Sequence, residues 1–366
     1  MKKYLEKNVY EALQDRLKFI FDNFDNIYVS FSGGKDSGLL LNMVLSYKRR
    51  NKIAKKIGVF HQDFEAQYQT TTDFVSRMFE NNLRDIEPYW VCLPMGSRCA
   101  VSNYQMYWYP WDPDKEELWV RPMPKMPYII NMDNNPFDFY RYKMVQEDLY
   151  AEFGEWYSRQ KKGKTICLLG IRADESLNRY RAYANDRKTI MQGNQWTTKM
   201  GENWWNAYPI YDWTTKDVWI ANGKFDYDYN RIYDLFWKAG LSISQMRVAS
   251  PYHESAKESL NLYRVLEPAT WVRVVSRVQG ANFGAIYGSS HALGARKIEL
   301  PPGHTWRSYV KFLLATLPEA MRRNYIEKFK TSIRFWWKKG GVVDEEAIKE
   351  LEACNYPIRH NGKSNY

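Results

Sequence analysis

The stretch Ile27-Tyr28-Val29-Ser30-Phe31-Ser32-Gly33-Gly34-Lys35-Asp36-Ser37 decides the fold of this chain. Residues 27–31 are rich in β-branched and aromatic side chains, which predicts a buried strand. Residues 38–50 carry an apolar face at helical spacing, which predicts a helix. A strand that enters a glycine turn and continues as a helix is an arrangement that binds phosphate, because backbone N–H groups and the positive end of the helix dipole meet there.

Each residue of the turn has a chemical reason to be there. Gly33 and Gly34 lack Cβ atoms, so the backbone can approach an anion closely. The hydroxyl groups of Ser32 and Ser37 donate hydrogen bonds, and Lys35 supplies a positive charge. Asp36 is the candidate ligand for a Mg²⁺ ion on a pyrophosphate group.

The turn is not a Walker A loop, which requires Gly-x4-Gly-Lys-Ser/Thr. Gly163-Lys164-Thr165 superficially resembles one, but it lacks the upstream glycine and precedes its strand. The phosphate-binding prediction therefore rests on residues 32–37.

The rest of the chain alternates predicted strands and helices, which implies a parallel sheet covered on both faces. The predicted strands are 27–31, 57–60, 90–93 and 166–170, and the predicted helices are 6–24, 38–50, 71–81 and 214–221. Residues 94–139 interrupt this rhythm as an insertion rich in proline and aromatic residues, and residues 183–207 are predicted to be a long polar loop. The pattern is largely helical over 229–339, apart from 280–303. We expect a doubly wound α/β domain over 1–220 and a helical, basic region over 221–366.

The distribution of charge along the chain indicates what kind of binding partner to expect. The chain of 366 residues has a formal net charge of +11, and residues 221–366 hold 22 Lys and Arg against 14 Asp and Glu, a net charge of +8. This basic region suggests an anionic partner such as nucleic acid, although a solvated basic surface is the commoner cause. Residues 321–339 interleave cations with aromatic rings, which is typical of nucleic-acid contact. An amphipathic helix with its aromatic rings packed inward is the alternative.

The remaining signals bear on cofactors and location. Cys92, Cys99, Cys167 and Cys354 form no paired motif, so we expect neither zinc nor an iron–sulfur cluster. The first residues lack the apolar core of a signal peptide, and no apolar run approaches about 18 residues. We expect a cytoplasmic protein without a membrane segment.

Four segments together resemble a known family. Ser32–Ser37 resembles the PP-loop signature of the ATP pyrophosphatase superfamily. Three segments narrow the resemblance to its phosphoadenosine phosphosulfate (PAPS) reductase branch: Gly58–Asp63, Leu169–Ser176 with Arg179, and Tyr208–Trp219. The resemblance implies a HUP-like fold, ATP or a related adenine nucleotide as ligand, and a position for Asp63 beside the adenosine.

Arg172 is the second predicted catalytic residue besides Lys35. It follows a strand end, where open α/β sheets bind ligands, and arginine can clamp a phosphate or sulfate with two hydrogen bonds. Asp174 or Glu175 would fix its orientation, and Arg179 completes the binding set. A structural Arg–Glu pair is the alternative.

The chain departs from the reductases of this branch in the segment that carries their nucleophilic cysteine. Reductases of this branch use a Glu-Cys-Gly-x-His segment, whereas this chain has Glu352-Ala353-Cys354-Asn355-Tyr356. The insertion and the helical tail resemble the immunoglobulin-binding regulator (IbrA-type) proteins of prophages and mobile elements, which implies a ParB/sulfiredoxin-like partner. We expect cleavage of ATP between the α- and β-phosphates. A thiol-dependent PAPS or adenylyl-sulfate reductase and a nucleotide-sensing regulator stay open.

Overall fold

A computed structural model describes residues 6–185, 187–243, 245–256, 260–287 and 300–338. Its strands, in chain order, are β1 Asn26–Ser30, β2 Ile57–Gln62, β3 Ile86–Val91, β4 Ser97–Arg98, β5 Tyr107–Trp108, β6 Ile129–Ile130, β7 Thr165–Leu169, β8 Thr197–Lys199 and β9 Trp204–Ala207. Its helices are α1 Val9–Asn23, α2 Lys35–Arg50, α3 Gln69–Glu80, α4 Gln146–Lys161, α5 Leu177–Ala184, α6 Thr215–Lys224, α7 Ile232–Lys238, α8 Leu262–Leu266, α9 Pro268–Arg277, α10 Ala281–Tyr287, α11 Trp306–Thr316 and α12 Glu319–Lys338.

Seven strands form one sheet in the order β6-β3-β2-β1-β7-β9-β8, and β4 pairs with β5 separately. In the large sheet β8 runs antiparallel to β9, and the other neighbouring pairs are parallel. From β1 the chain first builds outward through β2, β3 and β6, then returns to β7 on the other side of β1. The order of strands therefore reverses between β1 and β7, which is the topological switch point where such sheets bind ligands.

Side chains alternate between the two faces of the sheet. In β1, Ile27 and Val29 belong to a core cluster that includes buried residues of α1, α2, α3 and α6. Tyr28 belongs to a second cluster, which includes Phe153 and Tyr157 of α4. Helices thus cover both faces, and the predicted doubly wound α/β fold is confirmed.

Two predicted elements differ from the structure in instructive ways. The helix expected from Gly38 begins at Lys35, because the extended backbone of Gly34 makes that residue the N-cap. The polar loop expected over 183–207 contains β8 and β9, which complete the edge of the sheet. These strands are short and lie between polar residues, so periodicity did not reveal them.

The helix predicted over 214–221 is α6, which begins at Thr215 with Thr214 as its N-cap. Thr214 and Asp217 form a capping box, in which each side chain accepts a hydrogen bond from the other residue's backbone N–H. Asp212 instead binds the guanidinium of Arg16 on α1, at 2.6 and 2.8 Å. Asp212 therefore has a structural role, because it ties the turn before α6 to α1.

The chain divides into two compact units. Residues 6–97, 109–251 and 262–277 form the first, and residues 98–108, 252–261 and the described residues from 278 onward form the second. The predicted boundary at residue 220 does not coincide with this division, since residues up to 251 and the helix α9 pack within the first unit. In the second unit, Asn324 of α12 donates a hydrogen bond to the carbonyl of Asn103 at 2.7 Å. No helix within the described ranges is long and apolar enough to cross a membrane.

Candidate functional site

The predicted phosphate loop lies at the switch point, between the end of β1 and the start of α2. Its two serines hold it closed: their hydroxyl oxygens are 3.0 Å apart, and the Ser37 hydroxyl donates to the carbonyl of Gly34 at 3.2 Å. The backbone N–H of Ser32 donates to the Ser37 hydroxyl at 3.2 Å. The loop is therefore preformed by its own side chains.

Gly33 and Gly34 differ in why the loop has glycine at each position. Gly33 has a φ of +76°, and a Cβ there would lie 2.9 Å from Cγ2 of Val75, so the turn requires glycine. Gly34 has a φ of −83°, and its Cβ would meet the Ser32 and Tyr233 hydroxyl oxygens at an ordinary 3.5 and 3.6 Å. As N-cap of α2, Gly34 brings no side chain to the helix start. That leaves room for an anion at the positive end of the helix dipole.

Charged side chains from two strand ends meet at this loop. Arg172, only 2% exposed, donates from Nε to Oδ1 of Asp36 at 2.6 Å and from a terminal nitrogen to Asp174. Nζ of Lys35 lies 3.1 Å from Oδ2 of Asp36. The two residues predicted to be catalytic are thus joined through one carboxylate.

Asp174 and Glu175 take different partners. Asp174 binds Arg172 and fixes its orientation, as the sequence predicts for one of the two. Glu175 lies 3.7 Å from Arg179 instead, and the Arg179 side chain is 48% exposed. The binding roles of Glu175 and Arg179 stay predictions.

The role of Asp36 as a magnesium ligand stays a prediction. Both carboxylate oxygens of Asp36 already contact cations, namely Arg172 and Lys35. Within the described ranges no group of three or more His, Cys, Asp or Glu side chains is arranged to hold a metal, and Mg²⁺ in nucleotide sites takes most of its ligands from phosphates and water. Asp36 anchors the two cations.

Gly170 allows Arg172 to reach Asp36 at the phosphate loop. A Cβ on Gly170 would lie 2.8 Å from the backbone nitrogen of Ser37, so the chain after β7 passes directly against the start of α2. Only glycine permits such an approach. Arg172 follows two residues later and reaches Asp36 for that reason.

Asp63, predicted to lie beside the adenosine, has a structural role. It is fully buried and binds the guanidinium of Arg121, while Nε1 of Trp90 donates to it at 2.8 Å. Burial alone would raise the pKa of Asp63, but the charge of Arg121 lowers it, so the carboxylate stays ionised. Both of its oxygens are used inside the protein. Arg121 lies 58 residues further along the chain, and the position of Asp63 beside the adenosine stays a prediction.

His61 is also structural. Its Nδ1 lies 2.8 Å from the carbonyl oxygen of Phe31, and the ring is buried among Phe31, Phe79 and Trp90. Burial lowers the pKa of His61, with Arg121 adding to the effect, and this favours the neutral ring. Nδ1 of His61 therefore has a structural partner, whereas its Nε2 is buried without a hydrogen bond among the described residues.

Two residues at the loop were not predicted. Nδ2 of Asn230 donates to the carbonyl of Gly33 at 2.9 Å, and the backbone N–H of Lys35 donates to the hydroxyl of Tyr233 at 3.0 Å. Asn230 lies in the short connection between α6 and α7 and Tyr233 in the first turn of α7, both about 200 residues from the loop in sequence. No motif in that segment signals a ligand site.

The described cysteines are poor nucleophiles. Cys92, Cys99 and Cys167 are free and buried. Burial raises the pKa of Cys92 and Cys99, and it raises that of Cys167 to about 12. Their thiols are therefore protonated and shielded. Cys354, the echo of the reductase thiol, lies outside the described residues.

The insertion forms a cavity of about 680 Å³ that was not predicted. Its walls include Trp119, Met123 and Met126, and its charged residues include Lys125 and Arg273. None of the residues that line it belongs to the phosphate loop. We assign it no ligand.

The fold and the loop together define a class of protein: a doubly wound α/β protein with a glycine turn suited to phosphate at its topological switch point. Within that class the chain belongs to the family of the uncharacterized protein YbdN of Escherichia coli (strain K12). The two are 35% identical over 358 residues, which cover 96% of this chain and 86% of YbdN. Residues 240–366 match the family model described as a domain of unknown function, DUF3440.

Solved structures show a distant likeness. A phosphoadenylyl-sulfate (PAPS) reductase from Candida auris, in a phosphate complex, is 13% identical with a TM-score of 0.34, over 64% of this chain and 94% of that one. An FMN adenylyltransferase from Candida glabrata, bound to FMN and an ATP analogue, is 13% identical with a TM-score of 0.35. That alignment covers 64% of this chain and 63% of the adenylyltransferase. Likenesses of this degree carry no conclusion about activity.

Proposed function

We propose that this protein binds an adenine nucleotide at residues 32–37 and cleaves ATP between its α- and β-phosphates. The observation that carries the proposal is the preformed glycine turn at the switch point, with Lys35 and Arg172 joined through Asp36 beside it. The adenine specificity comes from the PP-loop resemblance. A phosphate-binding turn alone would not distinguish one nucleotide from another.

The residues divide the reaction between them. The backbone of the turn and the start of α2 hold the β- and γ-phosphates, which leave as pyrophosphate. Lys35 stabilises the negative charge that develops on this leaving group. Arg172 lies at the neighbouring strand end and is held rigidly by Asp36 and Asp174, so it can hold the α-phosphate or the acceptor without further ordering.

The bond changes are those of an in-line displacement. An acceptor oxygen forms a bond to the α-phosphorus, and the bond from that phosphorus to the bridging oxygen of the β-phosphate breaks. The bonding electron pair leaves with pyrophosphate, and the acceptor releases its proton to solvent. An organic acceptor becomes adenylated, whereas water gives AMP.

The products of ATP turnover test this proposal. Purified protein incubated with ATP labelled at the α-phosphate should form AMP or an adenylated product, with pyrophosphate in equal amount. The Gly34→Asp variant should lose this activity. ADP and inorganic phosphate as the products would contradict cleavage between the α- and β-phosphates.

A thiol-dependent PAPS or adenylyl-sulfate reductase is the competing enzyme. The buried thiols of Cys92, Cys99 and Cys167 do not favour it. We expect sulfite release from PAPS, with thioredoxin as reductant, to stay at background. Robust release that disappears in Cys354→Ser would establish the reductase instead.

A nucleic-acid partner is supported by one further observation on α12. Phe329 and Phe335 are 43% and 52% exposed, and Lys330 and Arg334 are exposed on the same helix. These two rings are therefore accessible to solvent, whereas Tyr325 on the same helix is partly buried and contacts Asn103. Exposed rings for stacking beside cations for phosphates favour single-stranded nucleic acid. A regulator of the IbrA type, with a ParB/sulfiredoxin-like partner, stays compatible with such a surface.

A further inference from the structure

The connection between α6 and α7, together with the first turn of α7, forms a third wall of the phosphate loop. Asn230 is fully buried, and its Nδ2 donates both to the carbonyl of Gly33 and to the hydroxyl of Thr71, each at 2.9 Å. Three residues later, the hydroxyl of Tyr233 accepts the backbone N–H of Lys35 at 3.0 Å. One short segment thus holds the loop on either side of Gly34.

Tyr233 is held rigidly by other aromatic rings. Its ring centroid lies 5.3 Å from that of Trp219 and 6.0 Å from that of Phe236, with both pairs close to perpendicular. Nζ of Lys35 lies 5.7 Å from the centroid of the same ring. Such packing fixes the position of the hydroxyl before any ligand arrives, which lowers the entropy cost of binding.

The hydroxyl keeps its proton. Burial raises the pKa of Tyr233 well above its ordinary value, and the carboxylate of Asp36 raises it further. The oxygen already accepts the N–H of Lys35, one of the first N–H groups of α2. Its own hydrogen therefore remains available for donation at the place where an anion at the helix start would lie.

We propose that Tyr233 is a phosphate-binding residue, whose hydroxyl donates a hydrogen bond to a phosphate oxygen of the nucleotide held by the loop. Asn230 is a positioning residue, because it fixes the carbonyl of Gly33 and with it the turn. This inference rests on the proposed nucleotide site and adds to it a wall supplied by residues 230–233. It assigns a polyphosphate contact to the segment after α6.

Calorimetry with ATP and magnesium chloride on Tyr233→Phe tests the assignment. Phenylalanine keeps the ring between Trp219 and Phe236, so the fold is retained, and a thermal melt checks this. Losing a hydrogen bond to a charged group weakens binding by about ten- to a hundredfold. Tyr229→Phe is the matched control, because its hydroxyl binds Asp234 at 2.9 Å and its affinity should be unchanged.

Two outcomes overturn the assignment. Tighter binding by Tyr233→Phe would mean that the tyrosine oxygen competes with phosphate for the Lys35 N–H. Unchanged binding would mean that the hydroxyl contributes nothing. If wild-type protein binds ATP and Gly34→Asp does not, the nucleotide site stands, and either outcome excludes only the proposed role of Tyr233. Absence of binding by the wild type would remove the nucleotide site and this inference together.

Discussion

His61 shows how one buried side chain makes stability depend on pH. Its pKa is lowered mainly by burial, so the folded protein holds the ring neutral at a pH where the unfolded chain binds a proton. The unfolded state then binds more protons, and stability rises with pH. The contribution is present above the ordinary histidine pKa of about 6.5 and is lost as the pH falls from there towards the lowered value.

We therefore predict that the melting temperature falls from pH 7.5 to pH 5.5 and that His61→Asn makes the fall shallower. Asparagine replaces the buried base with a neutral amide that does not titrate. One proton changes the free energy of unfolding by at most about 1.4 kcal/mol per pH unit. The partly buried His304→Asn is the control and should keep the wild-type slope. Identical slopes in wild type and His61→Asn would show that His61 plays no part. The lowered pKa of Asp63 acts separately, below its ordinary value of 3.8.

At the residue scale, the local motif predicted the loop and Arg172, whereas contacts distant in sequence decided the rest. Ser32, Gly33 and Ser37 are contiguous, and their chemistry can be read from the turn alone. Asp63 forms an ion pair with Arg121. The backbone N–H of Lys35 binds the hydroxyl of Tyr233, which lies 198 residues further along the chain. Such pairings depend on tertiary packing that a single sequence does not encode locally.

At the scale of elements, the approach of β7 to α2 sets the geometry of the site. We predict that Gly170→Ala weakens ATP binding while the protein still folds. The added Cβ would stand 2.8 Å from the nitrogen of Ser37 and 2.9 Å from the carbonyl carbon of Asp36, so the loop must shift. Gly223→Ala on α6 is the control, because its Cβ would meet nothing within 4 Å. Equal affinities in the two variants, measured by calorimetry, would contradict this account of the loop.

A buried ion pair ties α9 to the end of β2. Glu65 is fully buried and accepts hydrogen bonds from Nε of Arg277 at 2.8 Å and from the backbone of Trp111 and Val120, at 2.8 and 3.0 Å. We predict that Arg277→Met lowers the free energy of unfolding by about 3–5 kcal/mol, because it leaves a buried carboxylate without its cation. Glu65→Gln/Arg277→Met should cost less than the sum of the two single changes. Urea unfolding of the four proteins measures this coupling, and strict additivity would argue against it.

The elements themselves were predictable to different degrees. The strands at the buried centre of the sheet, such as β1 and β2, can be predicted from their apolar runs. Helix α2 can be predicted from its apolar face. The edge strands β8 and β9 lie in a polar context, and their pairing with β7 and each other is what makes them strands. The apolar residues of the aromatic insertion follow neither the helix nor the strand period, so its elements could not be predicted, although its position in the chain could.

At the scale of the whole molecule, the basic C-terminal surface makes binding to nucleic acid testable through salt. We predict that the logarithm of affinity for single-stranded DNA falls linearly with the logarithm of salt concentration, with a slope of about −0.7 per phosphate neutralised. Charge reversal at Arg322 and Arg334 on α12 should flatten this slope without unfolding the protein. Arg323, Lys338 and Lys339 are also predicted to take part. Arg323 is left unchanged because it pairs with Glu319, and the Lys338 side chain and Lys339 lie outside what the structure describes.

Fluorescence anisotropy of a labelled oligonucleotide at several salt concentrations measures the slope. Charge reversal of Lys7 and Lys18 on the N-terminal segment, which pair with Asp15 and Asp22, is the matched control. A wild-type protein that binds no DNA or RNA at about 50–100 mM salt, where such contacts are strong, would show that the surface serves another purpose.

The most direct test of the central claim is calorimetry of ATP binding to wild type, Gly34→Ala and Gly34→Asp. The backbone of Gly34 accepts a side chain without strain, so the three proteins should share one fold and differ in what they place at the phosphates. We predict that Gly34→Ala retains most of the affinity. Gly34→Asp should lose about 2–4 kcal/mol of binding free energy, because its carboxylate repels the phosphates. Equal affinity of Gly34→Asp and wild type would contradict the assignment of the loop.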